Sequence, residues 1–179
     1  MNVNFLKKTI LMTFSFLLAF SILANTDFIE QLSLKNAKSF SSLIITGGQP
    51  SVDDLTLLAK NGVKKIINLR PISEFSDFDE KAKVDSLTME YINIPVDGAQ
   101  AINLTNLALF SKALTENSKQ KILVHCASGN RVGAFFALDA YFNQHKSLEI
   151  AIEVGKKAGM TRLEQRVRSL ITQESKHTD

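Results

Sequence analysis

Apolar residues in this chain fall in short runs separated by polar turns, and the spacing within the runs changes from stretch to stretch. Residues 43–46 read as a brief strand ending in Gly47-Gly48-Gln49-Pro50. Ser51 then opens a helix with Asp54 at capping-box spacing. Leu55, Leu58 and Ala59 share one face of that helix, which stops at Asn61-Gly62. Residues 63–69 read as a buried strand, 73–87 as a charged and weakly helical stretch, and 89–96 as a strand closed by Pro95 and the turn Asp97-Gly98. A helix is predicted over 103–116, a β-rich run over 121–125, a small-residue loop over 127–130 and an apolar helix over 132–144. Two more helices complete the pattern. One is capped by Ser147; the other starts at Thr161, with Glu164 closing a capping box and Leu163, Val167, Leu170 and Ile171 on one face.

Strands that alternate with helices imply an α/β fold in three layers, a mainly parallel central sheet flanked by helices. Ligands of such sheets bind beyond the carboxyl ends of the strands, which is where Cys126 is expected.

The first 24 residues have a different character. Lys7 and Lys8 precede an uncharged run over 9–23, the pattern of a secretory signal and too short to span a hydrocarbon core as a helix. A cleaved leader over 1–24 is expected, with export to the periplasm or beyond and no stable membrane association after cleavage. A single domain over 25–179, with its core at 40–172, remains. Hydrophobic residues make up 45% and charged residues 22%, which suits a packed core and excludes a disordered chain. Removing the two leader lysines takes the formal charge from +3 to +1, and no basic block remains of the kind that binds nucleic acid.

One cysteine cannot form an internal disulfide, so Cys126 invites a chemical explanation. The segment His125-Cys126-Ala127-Ser128-Gly129-Asn130-Arg131-Val132-Gly133 places a thiol at a strand end, five residues before an arginine and just before a helix. Backbone N–H groups of a tight loop and a helix N-terminus make a concave anion site, and the same field favours thiolate. Cys126 is the candidate nucleophile. Arg131 offers a planar, always charged fork for a tetrahedral oxyanion. Ala127, Ser128, Gly129, Asn130 and Val132 would contribute mainly loop amides to substrate binding. Gly129 permits a turn closed to larger residues, and Gly133 permits close packing.

This loop resembles that of the protein-tyrosine and dual-specificity phosphatases, which reads His-Cys, two residues, Gly, two residues, Arg. Gly48-Gln49-Pro50-Ser51, the run from Gly62 to Arg70 and Tyr91-Ile92-Asn93-Ile94-Pro95-Val96-Asp97 are similar to the bacterial beta-lactamase-hydrolase-like phosphatase domains. They are also similar to atypical dual-specificity enzymes of plants and fungi. The resemblance implies a cysteine-phosphatase fold, a phosphocysteine on Cys126 and Asp97 as general acid. A phosphorylated protein or small molecule would be the substrate, and no metal or other cofactor is needed.

The chain departs from the family pattern twice. One residue, not two, separates Gly129 from Arg131, and Val132 stands where Ser or Thr is usual, removing a hydroxyl that helps the sulfur leave. The shorter spacing resembles rhodanese-type sulfurtransferases, so a Cys126 persulfide is the alternative chemistry, and a non-catalytic anion-binding module is a third. Asp97-Gly98 is also an ordinary turn. His125 is expected to point away from the pocket into a structural hydrogen bond. Arg70 and Glu74 are read as a solvated turn that could instead border the pocket, and Arg162, Arg166 and Arg168 as a solvated helix face, one member of which could instead help recruit an anionic substrate. His125, His145 and His177 share no metal-ligand spacing.

Overall fold

The computed structural model describes residues 28–75 and 78–176; the expected leader and His177 lie outside them. Five strands form one sheet: β1 (Lys38–Ser39), β2 (Ile44–Gly47), β3 (Val63–Asn68), β4 (Glu90–Asn93) and β5 (Lys121–His125). Their order is β1-β2-β5-β3-β4, antiparallel only between β1 and β2. The helices are α1 (Val52–Lys60), α2 (Glu80–Ser86), α3 (Leu104–Thr115), α4 (Asn130–Phe142), α5 (Leu148–Ala158) and α6 (Glu164–Ser175).

Adjacent residues on a strand face opposite ways, and the core divides accordingly. Ile66 and Leu123 pack with Leu55 and Leu58 of α1 and Val84 of α2. Their neighbours Ile67 and Val124 pack with Phe110 of α3 and with Phe135 and Leu138 of α4. Both faces of the sheet are covered, which gives the three layers expected of a mainly parallel α/β sheet.

Local signals place most of the elements. The capping box at Ser51 is present: Asp54 N donates to Ser51 Oγ at 3.1 Å and Ser51 N to Asp54 Oδ2 at 2.8 Å. Two expectations need correction. The strand expected over 89–96 pairs only over Glu90–Asn93, because Pro95 has no N–H; Ile94 N and Val96 N still donate to Asn68 O and Leu69 O, pinning this segment across the end of β3. The capping box expected at Thr161 is absent. Asn130 Oδ1 instead accepts from Thr161 N, Thr161 Oγ1 and Arg162 N, and α6 begins only at Glu164, without a side-chain cap.

Lys65, within β3, is fully buried, and its Nζ donates to Ala113 O at 3.0 Å and Glu116 O at 2.6 Å, satisfying carbonyls at the end of α3. Gly133 allows α4 and α5 to touch: a Cβ there would lie 2.1 Å from Met160 N and 2.5 Å from Gly155 O.

Candidate active site

Four parallel strands end together, at Gly47, His125, Asn68 and Asn93, and the chemistry-bearing residues stand just beyond them. Central β5 delivers Cys126 at its carboxyl end, where Cys126 N donates to Gly47 O of β2. The chain then turns through Gly129, whose φ of +83° lies in the left-handed region that glycine tolerates, and enters α4. That turn aims the Gly129 N–H at Cys126 Sγ, 3.1 Å away. Cys126 is 1% exposed, while Ala127 on the loop is exposed and Ser128 half-buried. Ser128 pairs with Gly48 as an isolated bridge; a Cβ on Gly48 would lie 2.9 Å from Ala127 O, so the Gly48 turn braces the loop from beneath.

Arg131 sits in the first turn of α4. Its Nη1 donates to Glu74 Oε1 and to Val96 O, both at 2.9 Å, and its Nη2 to Glu74 Oε2 at 2.7 Å. Burial pulls the guanidinium's pKa down, but the bonds to Glu74 and the facing Cys126 charge outweigh it and hold the value above the ordinary arginine range. The Glu74 carboxyl is correspondingly lowered, first by its hydrogen bonds to Arg131.

Arg70 extends the chain of contacts. Its Nη1 donates to Gln49 Oε1, its Nη2 to Glu74 O and its Nε to Glu74 Oε2. The solvated-turn reading of Arg70 and Glu74 is therefore wrong: Gln49, Arg70, Glu74 and Arg131 form one connected polar row behind the anion loop. The i, i+4 spacing of Arg70 and Glu74 just past a strand was the available signal.

Asp97 follows Val96 directly. It is exposed and leads into the turn at Gly98, whose φ is +66°, and Val96 O, one residue before it, accepts from Arg131. Arg166 holds the far side of this loop, its guanidinium donating to Ala99 O and Ile102 O. That corrects the solvated-face reading for Arg166, and Arg168 is likewise paired, with Glu149 and Glu164. Two candidate binding residues have side chains engaged elsewhere. Val132 is fully buried in the core, and the Asn130 carboxamide oxygen is taken by the 161–162 segment.

His125 is fully buried, with Nε2 2.8 Å from Glu80 Oε1 and Nδ1 3.4 Å from Cys126 O. It points away from the pocket, as its place on the strand predicts.

The family described as "PTP-NADK: DSP-PTPase phosphatase fused to NAD+ Kinase" matches residues 20–177. The chain belongs to this family. A beta-lactamase hydrolase-like protein from Xylella fastidiosa is similar to it at 33% identity over 95 residues, 51% of this chain and 22% of that protein. The chain thus matches about a fifth of the length of this curated relative. Among solved structures, a DUF442 protein from Shewanella putrefaciens is similar at a TM-score of 0.62 and 23% identity, covering 80% of this chain and 91% of that one. TpbA from P. aeruginosa, solved in complex with pTyr, gives a TM-score of 0.57 at 16% identity, over 73% of this chain and 79% of that one. The structural likenesses agree with the three-layer fold, and the DSP-PTPase family match with a phosphatase.

Proposed function

We propose that this chain hydrolyses phosphomonoesters through a phosphocysteine on Cys126. In the first step Cys126 Sγ attacks phosphorus, the S–P bond forms as the bond to the leaving oxygen breaks, and Asp97 gives that oxygen its proton. Arg131 and the loop amides of Ala127, Ser128, Gly129, Asn130 and Val132 hold the equatorial oxygens, where charge develops. In the second step Asp97 takes a proton from water, the water oxygen bonds to phosphorus, and the thiolate leaves as inorganic phosphate is released.

The observation that carries this reading is the Gly129 N–H aimed at Cys126 Sγ from 3.1 Å, with Arg131 held in the first turn of the helix that follows by Glu74 and Val96 O. The Arg131 bond to Val96 O supports Asp97 as the acid, because it ties the residue before Asp97 to the anion cradle. The phosphotyrosine in the TpbA structure supports a protein phosphotyrosine or a small phosphorylated molecule as substrate. The leader pattern over 1–24 supports action outside the cytoplasm. The short Cys-to-Arg spacing is shared with sulfurtransferases, but the family match favours hydrolysis.

The test uses the mature protein under reducing conditions with para-nitrophenyl phosphate, and Cys126→Ser as control. Steady release of nitrophenolate, lost in the variant, is expected. A single burst near one equivalent would mean that Val132 leaves the phosphocysteine trapped. No release would overturn the proposal and direct attention to thiosulfate-to-cyanide sulfur transfer.

A further inference from the structure

The loop that carries Asp97 is held on both sides by guanidinium groups, each from a different helix. Before Asp97, Arg131 of α4 donates Nη1 to Val96 O at 2.9 Å. After it, Arg166 of α6 donates Nε to Ala99 O at 3.0 Å and Nη2 to Ile102 O at 2.8 Å, across 67 and 64 residues of sequence. Asp97 and Gly98 lie between these anchors, and both are exposed. The proposed mechanism gives Arg166 no part.

The two ends of the loop are secured differently. Val96 is fully buried, and its N–H donates to Leu69 O at 3.1 Å, so this end is tied to the sheet. The far end is shaped by bonds within its own unit: Ile102 N donates to Ala99 O at 3.2 Å, Asn103 Nδ2 to Gln100 O at 3.2 Å and Asn106 Nδ2 to Ala101 O at 2.9 Å. Those bonds join the turn to the start of α3. Arg166 adds a bond from another part of the molecule, and a rigid fork donating to two carbonyls fixes direction as well as distance.

Helix α6 is itself tied to the anion loop. Just before it, Thr161 N, Thr161 Oγ1 and Arg162 N donate to Asn130 Oδ1 at 2.8, 3.2 and 3.0 Å, and Asn130 stands between Gly129 and Arg131. Val167, Leu170 and Ile171 seat the helix in the core cluster that also holds Cys126, Ile102 and Val132. The segment 161–166 thus bonds to the Cys126 loop at one end and to the Asp97 loop at the other.

We propose that Arg166 is a positioning residue for proton transfer: by holding Ala99 O and Ile102 O, it keeps the Asp97 turn at a set distance from the Cys126 loop. It acts through the loop backbone and not on the reacting atoms. The proposal rests on the reading of Asp97 as the acid. A displaced acid slows the substrates whose leaving oxygen needs a proton and spares those whose leaving group departs as the anion.

The experiment measures kcat/KM, which reports formation of the phosphocysteine, for nitrophenyl, phenyl and alkyl phosphates in the wild-type chain, Arg166→Ala, Asp97→Ala and the double variant. Arg166→Ala is expected to lower the alkyl phosphate value about 10- to 100-fold and the nitrophenyl value by less than about threefold. It adds no further selective loss once Asp97 is Ala. Arg168→Ala is the control, on the same helix but paired with Glu149 and Glu164, and is expected to match wild type. Equal losses across the Arg166→Ala series, as a general loosening of the fold would give, overturn the proposal; so does a series unchanged from wild type.

Arg166→Lys covers the case in which the alanine variant does not fold, because it keeps the charge and one donor group. The same selective loss, smaller in size, is expected; an unselective loss, or none, overturns the proposal. Failure of the underlying reading looks different. If Asp97→Ala itself shows no dependence on the leaving group, Asp97 is not the acid and both readings fall; if Asp97→Ala is selective and the Arg166 variants are not, this proposal alone falls.

Discussion

Both carboxylate oxygens of Glu74 accept hydrogen bonds from the Arg131 guanidinium, at 2.9 and 2.7 Å, across 57 residues of sequence. The contact fixes the plane of the arginine and, with the second Nη1 hydrogen given to Val96 O, leaves one Nη2 hydrogen and the Nε hydrogen for substrate. Glu74→Gln keeps the size but loses one acceptor and the charge. A charge-assisted bond contributes about 1.5–3 kcal/mol, so kcat/KM for para-nitrophenyl phosphate is expected to fall about 10- to 100-fold, largely through KM. Steady-state kinetics checks this; unchanged kinetics would mean that Arg131 orients without Glu74.

Asp97 is exposed on its turn, so replacing it disturbs little packing. Asp97→Ala is expected to lower turnover of poor leaving groups, such as alkyl phosphates, by about 100-fold or more, and that of nitrophenyl phosphate far less. A series of leaving groups of graded acidity measures the contrast. Equal losses across the series would remove Asp97 from the role of acid.

Asp54 joins the N-terminal segment to α1, accepting from Ser33 N, Ser33 Oγ and Ser51 N at 2.7, 2.6 and 2.8 Å. Burial raises its pKa, but these bonds overcome that and leave it below the ordinary carboxylate value of 3.8. A depressed folded value means stability present above about pH 4 and lost as pH falls through the folded pKa. Asp54→Asn is expected to cost about 1–2 kcal/mol at pH 7, a difference that shrinks below pH 4. Urea unfolding at pH 7, 5 and 3 tests it.

Gly133 has no room for a methyl group, since a Cβ would stand 2.1 Å from the backbone nitrogen of Met160. Gly133→Ala must separate α4 from α5 and is expected to destabilise by about 3 kcal/mol or more, lowering Tm well beyond a surface Gly→Ala change. Thermal unfolding monitored by circular dichroism gives the comparison. Because α4 carries Arg131, activity at low temperature should fall as well.

Sequence by itself determined what depends on neighbours along the chain. The Ser51 capping box, the strand over 121–125, the left-handed turn at Gly129 and the cysteine-to-arginine spacing are all local, and each stands where it was expected. The boundary errors are also local signals, outcompeted: Asn130 drew Thr161 away from the start of α6. Tertiary structure alone decided the partners. Glu74 reaches Arg131, Glu80 reaches His125 and Lys65 reaches the end of α3 across separations of 57, 45 and 48 residues. The physical reason is that a charged side chain looks solvated in any local window. Its burial and pairing follow from which strand ends the parallel sheet brings side by side, and no periodicity in the chain encodes that.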